Sequence, residues 1–582
     1  MQNILAKIQK NKILLSAYLL SSVLYFSSLF FANSANSRWI TFFLWVLALI
    51  SPLVLLSYKN LKIKKTKNDY LLIILLIIST FFFLVFLKNY PFVSIYDQVR
   101  DGGLNAKQIL NGDLINIFGY GRYSSHGLII PTIGSFFYLL FKNSVYTFRI
   151  PAALLSIISV GIIYKLIKEN FSKEAAFFSG IILTSIPLVL YYARTEVVVV
   201  YSLFLFSLIL FRISKLLKNQ NLINYISISI LLGFASGFHT SIRTVSVLTL
   251  ILLILFNLTN LFLKKNITNF KNIILILSFY IIGFGPRILF TTPDTFFQTR
   301  SIGLGNESFS ILNLIPKLIF NYINSLLVYS VNPTISTHFQ VFKPILNPLY
   351  SILFIIGIIS LIINKNKLSK VILFFIFALP FTNSAVTEAI NSDNRLAPLF
   401  VLSAISCGLG INYLLKRIDN LRLRTFFIVS ITLIILSITS TFFINEDASK
   451  GYSEIDYLSM HTVYALQNNK EFNKNKFTCL FSNETFTSYV NYLHVQEQYE
   501  FFSPGTIKIA SISGIKPNEI YISQSCSFPS KSNYDKIVYC STKNKFTCKN
   551  RPINIYLEKN NVTGKIYNTD YKTINPKPVF IP

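Results

Sequence analysis

Thirteen apolar stretches, each about 20 residues long, constrain this chain more than any other feature of its sequence. An α-helix of that length crosses the hydrocarbon core of a bilayer and satisfies its own backbone hydrogen bonds there. The sequence therefore predicts an all-α polytopic membrane protein with about 13 transmembrane helices. The predicted spans lie at 13–31, 39–57, 69–88, 149–166, 174–191, 195–212, 223–238, 243–263, 272–290, 345–363, 370–386, 396–415 and 423–444.

Basic residues are concentrated in every second connection between these spans. The chain has 54 Lys and Arg against 24 Asp and Glu, and the basic clusters precede the first span and follow the second, fourth, sixth, eighth, tenth and twelfth. Cytoplasmic loops carry such an excess, so the alternation predicts a multi-pass protein of the bacterial inner (plasma) membrane with a cytoplasmic N-terminus. It also argues against nucleic acid as a partner, because the charge follows the loops and no nucleic-acid motif accompanies it.

The same alternation divides the chain into four parts. Residues 1–88 are predicted to hold N-terminal transmembrane helices, and 89–148 to form the first periplasmic loop, whose amphipathic piece at 127–142 lies along the interface. Residues 149–444 form the rest of the transmembrane core. Residues 445–582 are predicted as a soluble periplasmic α/β domain, because the strand-like runs FTCLF, EIYIS, KIVYC and INIYL alternate there with turn residues.

Four of the five cysteines fall in this C-terminal domain. An even number of cysteines in a compartment that permits disulfides predicts two bridges, in any of three pairings. The alternative is that some or all of these thiols are free. Cys407 lies inside a span, where a packing role is expected. The candidates for bridging are Cys479, Cys526, Cys540 and Cys548.

An acidic residue follows the third span and opens the loop that carries the chemistry. Asp97 begins a helix-like piece, roughly 97–110, and lies close to Arg100 and Asp101 in the sequence. A carboxylate at the membrane surface is a candidate general base. The alternative is that Asp97 caps this helix, a role that aspartate often has and that does not exclude catalysis.

The motifs that follow Asp97 resemble those of a known family. Their series is Asp97-x-x-Arg100, Gly112-Asp113-Leu114, Arg122-Tyr123, His126-Gly127-Leu128-Ile129 and Arg149-Ile150-Pro151-Ala152-Ala153-Leu154. It is similar to the first periplasmic loop of the family 39 glycosyltransferases, which include protein O-mannosyltransferases and lipid A aminoarabinose transferases. The stretch from Tyr192 to Glu196 resembles the second acidic motif of the family, and Gly233 to Gly237 another element. The resemblance implies the membrane GT-C fold and a polyprenyl-phosphate-linked sugar as donor.

Two positions depart from the family pattern. Gln98 follows Asp97 where the family often has an acidic residue, and His126-Gly127 stands where aminoarabinose transferases have a lysine followed by two prolines. A histidine can donate a hydrogen bond to phosphate, but its charge depends on pH. These differences argue against aminoarabinose as the sugar and leave the fold prediction unchanged.

The implied reaction is an inverting transfer, in which a carboxylate accepts the proton of the attacking hydroxyl or amine and cations stabilise the departing phosphate. Asp97 is the expected base and Glu196 the second carboxylate. Each predicted cation has an alternative role: the arginines at span ends can reach to the interface, and the histidines can be structural. No D-x-D motif is present, so a metal requirement is not indicated, although Asp97 and Glu196 could bind a metal ion. No cofactor is predicted. The predicted substrate-binding residues are Arg100, His126, Arg149, Arg194, His239, Arg243, Arg287 and Arg395.

Two other function classes compete with this one. An O-antigen ligase or polymerase also uses lipid-linked sugars, but would need its key arginines in a large later loop. A lipid flippase or transporter should show internal repeats and ionisable residues near mid-membrane. The external loop at 291–344 contains charged residues and is expected to shape the acceptor site. The acceptor itself, whether lipid A, a glycan or a protein, stays open, as does the sugar.

Overall fold

The structure is a computed structural model that describes most of the helical part of the chain and the strands that follow it. The described residues are 2–32, 38–57, 69–87, 98–114, 117–119, 127–195, 199–264, 268–291, 311–335, 343–364, 366–385, 390–444, 477–482, 501, 506–511, 519–523, 534–539 and 553–558.

Seventeen α-helices account for most of these residues. The first nine are α1 (Gln2–Phe31), α2 (Arg38–Ser57), α3 (Tyr70–Leu84), α4 (Asn105–Asn111), α5 (Ile129–Phe141), α6 (Tyr146–Asn170), α7 (Lys173–Ser185), α8 (Pro187–Ala193) and α9 (Val199–Lys218). The others are α10 (Leu222–Ser236), α11 (Thr240–Lys264), α12 (Thr268–Phe284), α13 (Ile311–Leu327), α14 (Pro348–Ile363), α15 (Lys367–Pro380), α16 (Ala397–Leu415) and α17 (Leu421–Ile444).

The helical fold predicted from the apolar stretches is confirmed. Within the described residues, nine helices are long and apolar enough to cross a membrane by themselves, and the pair α7 and α8 is a tenth candidate, bent by 70°. The shorter apolar helices α3, α10 and α14 coincide with the remaining three predicted spans. Helix α5 has 13 residues, which is short for a span and consistent with the interfacial position predicted for 127–142.

Proline and capping residues set several helix boundaries. Pro187 removes a backbone donor at the start of α8, so the chain bends there instead of continuing α7. Ser172 caps α7 by accepting a hydrogen bond from the Ala175 amide at 3.1 Å. Asn347 caps α14 in the same way through the Tyr350 amide, at 2.9 Å.

The helix ends predicted to face the cytoplasm lie together at one end of the bundle. Asp69, which precedes α3, forms an ion pair with Lys168 near the end of α6. Glu169 pairs with Lys215 at 2.6 Å across α6 and α9. The Asn366 amide, before α15, donates to the Asn170 carbonyl at 3.0 Å. The alternation of basic loops along the sequence therefore agrees with the grouping of helix ends in space.

Helix α16 lies at the centre of the bundle and is almost entirely buried. Its neighbours approach it closely because glycine faces backbone at the contacts. A Cβ atom on Gly357 of α14 would lie 1.8 Å from the Ser406 carbonyl oxygen, and one on Gly408 would lie 2.2 Å from the Ser179 hydroxyl of α7. Small residues at such contacts allow membrane helices to pack backbone against backbone.

Five strands follow the helices and form one mixed sheet. They are β1 (Phe477–Ser482), β2 (Thr506–Ser511), β3 (Glu519–Ser523), β4 (Tyr534–Tyr539) and β5 (Ile553–Glu558), in the order β2-β1-β3-β5-β4. The pairs β1–β2 and β3–β5 are parallel and the others antiparallel. The four strand-like runs of the sequence coincide with β1, β3, β4 and β5, whereas β2 was not anticipated.

Two of the five cysteines lie within the described residues, one in a helix and one in the sheet. Cys407 is buried in α16, where its thiol donates a hydrogen bond to the Tyr350 carbonyl at 3.2 Å, in keeping with the predicted packing role. Cys479 lies in β1. Cys526, Cys540 and Cys548 lie outside the described residues, so the two disulfides stay a prediction.

Candidate functional site

The segment that follows Asp97 is helical at the end of the bundle opposite the basic loops. A π-helical turn covers Gln98–Leu104 and leads into α4, which ends at Gly112 with a left-handed φ of 92°. The side chains of Gln98 and Arg100 are buried. Asp97, His126 and Glu196 lie outside the described residues, so their predicted roles stay predictions.

Two buried arginines hold the carboxyl end of α3, from which the chain continues towards Asp97. Arg194 donates to the carbonyl oxygens of Phe82 at 2.8 Å, Phe83 at 3.2 Å and Val85 at 2.6 Å. Arg149 donates to the Leu87 carbonyl at 2.9 Å. The last carbonyls of a helix have no partner within it and carry partial negative charge, so guanidinium groups stabilise them. The bend at Pro187 brings Arg194 to this position.

A second pair of buried arginines contacts the carboxyl end of α10. Arg243 donates through Nε to the Ser236 carbonyl at 3.0 Å and through Nη2 to the Phe238 carbonyl at 2.9 Å. Arg287 approaches the Phe234 carbonyl at 3.4 Å. The ends of α3 and α10 are therefore both surrounded by guanidinium groups, and all four arginines were among the predicted phosphate ligands.

The Arg287 guanidinium is enclosed by aromatic rings. Its Cζ lies 5.7 Å from the ring centroid of Trp45, 5.9 Å from Phe234, 5.5 Å from Phe238 and 5.6 Å from Phe284. Cations are attracted to the faces of such rings, most strongly where water is excluded. We call Trp45, Phe234, Phe238 and Phe284 the aromatic cage.

Glycine shapes the backbone around this cage. Gly285 directly follows α12 and has a φ of 75°, a left-handed conformation. It is the first residue of the 3-10 turn Gly285–Leu289, which carries Arg287. A Cβ on Gly285 would lie 2.4 Å from Nε1 of Trp45, whose indole donates to the Ile282 carbonyl at 2.9 Å. A Cβ on Gly237 would lie 1.1 Å from Nη1 of Arg287.

The loop that precedes α5 rests on the same arginine. A Cβ on Gly127 would lie 3.2 Å from the Gly237 carbonyl oxygen and 3.7 Å from Cδ of Arg287. The Leu128 amide donates to the Gly119 carbonyl at 3.1 Å, which folds this loop back on itself. The backbone next to His126 is therefore in contact with the end of α10.

A polar network extends from this region to the start of α16. The imidazole of His239 shares a hydrogen bond of 2.9 Å with Ser241, which donates to Ser202 at 2.9 Å. The Asn383 amide donates to the carbonyls of Ser241 and Arg395, both at 3.1 Å. Arg395 is half-buried and follows Asp393, which is fully buried.

The buried charges of the described residues all lie at this end of the bundle. They belong to five arginines and to Asp393, with the neighbouring His239 also buried. The positive excess is substantial in a low-dielectric setting, where an anion is attracted more strongly than in water. Within the described ranges, no group of three His, Cys, Asp or Glu side chains is arranged to hold a metal ion. The five arginines are Arg100, Arg149, Arg194, Arg243 and Arg287.

Sequence reasoning identified these arginines but not their surroundings. It missed the aromatic cage, Asn383 and Asp393. Phe234 in α10 and Phe238, two residues beyond its end, are four residues apart, a spacing that can bring two rings to one face, and this was a readable signal. Nothing in the sequence linked that face to an arginine 49 residues further along the chain.

Comparison with known proteins gives one family match. Residues 125–288, which contain four of the five buried arginines, match the family described as dolichyl-phosphate-mannose-protein mannosyltransferase. Over these residues, the match confirms the predicted resemblance to the family that includes protein O-mannosyltransferases. None of the curated proteins matches the chain in sequence.

The chain is similar to several solved structures, among them ArnT from Cupriavidus metallidurans and the oligosaccharyltransferase from Archaeoglobus fulgidus. ArnT bound to undecaprenyl phosphate has 12% identity and a TM-score of 0.43, with 74% of this chain and 75% of that chain covered. The apo state of ArnT has 10% identity and a TM-score of 0.47, with 75% and 85% covered. The Archaeoglobus fulgidus oligosaccharyltransferase in its apo form has 13% identity and a TM-score of 0.42, with 75% and 64% covered.

Proposed function

We propose that this GT-C-like membrane glycosyltransferase moves a sugar, with inversion, from a polyprenyl-phosphate donor to an acceptor at the periplasmic face of the inner membrane. The acceptor is a hydroxyl or amine of lipid A, another glycan or a protein. The family match supports glycosyl transfer.

The observation that carries the proposal is the gathering of buried guanidinium groups at one end of the bundle. The phosphate of a lipid-linked sugar is anionic and gains further negative charge as the glycosidic bond breaks. Arginine suits this charge because its planar fork presents several donors. Four of these arginines are already held by backbone carbonyls, so their charges are fixed in place before a substrate binds.

In the proposed step, the acceptor oxygen or nitrogen attacks the anomeric carbon as the bond from that carbon to the phosphate oxygen breaks. Asp97 takes the proton of the nucleophile, and the polyprenyl phosphate leaves with the bonding electron pair. Glu196 binds the acceptor or the sugar. The donor headgroup is surrounded by the four arginines that backbone carbonyls hold and by four further groups. These further groups are Arg100, His126, His239 and Arg395.

Arg149 and Arg194 have a second role in this proposal. By holding the carboxyl end of α3, they fix the point from which the chain runs to Asp97. A base displaced by about 1 Å can lose about 100-fold in rate. We therefore assign them to positioning Asp97 as well as to the positive field.

The test compares surface glycolipid and glycoprotein mass profiles of cells with and without the gene, and of cells that carry Asp97→Asn. We expect the gene deletion to remove one sugar-sized unit from one product and Asp97→Asn to do the same, since an amide cannot accept the proton. Asp419→Asn is the matched control, because this exposed carboxylate lies at the opposite end of the bundle.

The purified protein gives a direct readout. With polyprenyl-phosphate sugars of several kinds, the wild-type chain should release polyprenyl phosphate, and Asp97→Asn should reduce the rate by at least about 100-fold. Normal product profiles in cells that carry Asp97→Asn would exclude Asp97 as the base. No release from any donor, together with unchanged profiles in the deletion strain, would refute the proposed function.

A further inference from the structure

One aromatic residue of the region after α17 is buried against the helical bundle. Phe501 lies between β1 and β2 in the sequence, and none of its surface is exposed. Its ring centroid is 6.3 Å from that of Tyr138 in α5 and 5.7 Å from that of Phe148 in α6. Aromatic pairs at such separations attract each other beyond the area they bury.

The ring of Phe501 also covers the turn that follows Asp97. A Cβ on Gly103 would lie 2.7 Å from Cε2 of Phe501 and 3.0 Å from two further ring atoms. Any side chain at position 103 would therefore have to displace the ring. Gly103 belongs to the π-helical turn Gln98–Leu104, which also contains the buried Arg100.

The turn is supported on another side by α5. A Cβ on Gly134 would lie 3.4 Å from the Gly102 carbonyl oxygen and 3.9 Å from Cβ of Ala106. Among the described residues, α5, α6 and Phe501 all contact this turn. Only the last of these belongs to the region outside the membrane core.

We propose that Phe501 is a positioning residue, through which the C-terminal region docks on the reactive loop and fixes the turn next to Asp97. The catalytic part of this inference rests on the proposed function, whereas the docking itself does not. Phe501 acts through the turn and does not touch the substrate. Loss of the ring should leave donor binding largely intact and slow the transfer step.

The experiment is a double-mutant cycle on the full chain. Its variants are Phe501→Ala, Gly103→Ala and the two combined. Gly161→Ala in α6 is the matched glycine control, since a Cβ there meets only Cδ2 of Leu76, at 3.7 Å. Phe262→Ala is the matched aromatic control, because that ring is 75% exposed at the far end of α11.

The first readout is amide hydrogen exchange of residues 98–111, which requires no substrate. Phe501→Ala should raise the exchange rate there at least about tenfold, because a turn that loses packing opens more often. Gly103→Ala should do the same where the ring is present and add little where it is absent, since the two changes act on one contact. Unchanged exchange in Phe501→Ala, or equal effects of Gly103→Ala in both backgrounds, would overturn the docking.

The second readout is the rate of polyprenyl phosphate release. Phe501→Ala should lower kcat by about 10- to 100-fold with the donor KM within about threefold, the pattern of a displaced catalytic group. Phe501→Leu should recover part of the loss. Raised exchange with an unchanged kcat would overturn the positioning role. No release by the wild-type chain from any donor, together with unchanged profiles in the deletion strain, would instead refute the proposed function, and the exchange cycle would still decide the contact.

Discussion

Replacing Arg194 by lysine tests whether the end of α3 needs the geometry of the guanidinium group or only its positive charge. Lysine keeps the positive charge, but its ammonium is one point where the guanidinium presents two nitrogens to three carbonyl oxygens of α3. Hydrogen bonds from a charged donor contribute about 1.5–3 kcal/mol each. If one of the three survives and water or relaxation offsets part of the loss, the variant should be destabilised by about 3 kcal/mol.

The assay is the fraction of purified protein that stays folded after brief heating in detergent. The unfolding entropy of a chain of 582 residues is about 1.2 kcal/mol per K, so a loss of this size should lower the apparent transition temperature by about 2–3 °C. Arg422→Lys is the matched control, since Arg422 is exposed at the opposite end of the bundle. The stabilising role of Arg194 would be refuted if the transition temperature of Arg194→Lys stayed within about 1 °C of the wild-type value. It would also be refuted if Arg422→Lys lowered the transition temperature as far.

Two further changes test other contacts. Gly237→Ala should push the Arg287 guanidinium out of the aromatic cage, since the new Cβ would lie 1.1 Å from Nη1. Polyprenyl phosphate release should fall about 100-fold, and a rate near that of wild type would contradict the packing. At the basic end, burial raises the pKa of Asp69, but hydrogen bonds from Lys168 and Tyr164 and the positive charges of Lys168 and Lys173 outweigh it, so the pKa is lowered. Its stabilising contribution is complete at neutral pH and lost as the pH falls through the lowered pKa. Asp69→Asn should remove about 1 kcal/mol at pH 7 and flatten the acid limb of a pH–stability curve.

The transmembrane helices could be predicted because few backbone conformations satisfy their own hydrogen bonds inside a bilayer. An apolar stretch of sufficient length must become a helix there, and basic loops record which ends lie together. All thirteen predicted spans coincide with helices in the described residues. The exceptions to a simple count come from local chemistry: Pro187 bends one span into two helices, and three helices are shorter than their apolar stretches.

The rest of the candidate site depends on contacts between distant parts of the chain. Composition and position predicted that Arg149, Arg194 and Arg287 matter, because charges near apolar stretches are costly unless they have a purpose. Their partners are backbone carbonyls and aromatic rings, and no residue pattern at a fixed spacing in the sequence predicts such contacts. Helix α13, which lies in the predicted external loop 291–344, was not anticipated for a related reason: its amphipathic pattern falls between the templates for a span and a loop.

The glycine contacts around α16 have a consequence for how a lipid substrate reaches the site. Backbone lies against backbone at Gly357 and Gly408, so α16 cannot slide past α14 or α7 without opening gaps on both sides. The outermost helix, α17, is instead mostly exposed along its length. Conformational change on substrate entry should therefore be confined to peripheral helices such as α17 and to the loops. The centre of the bundle would then stay rigid while the lipid tail of the proposed donor enters and leaves between the peripheral helices.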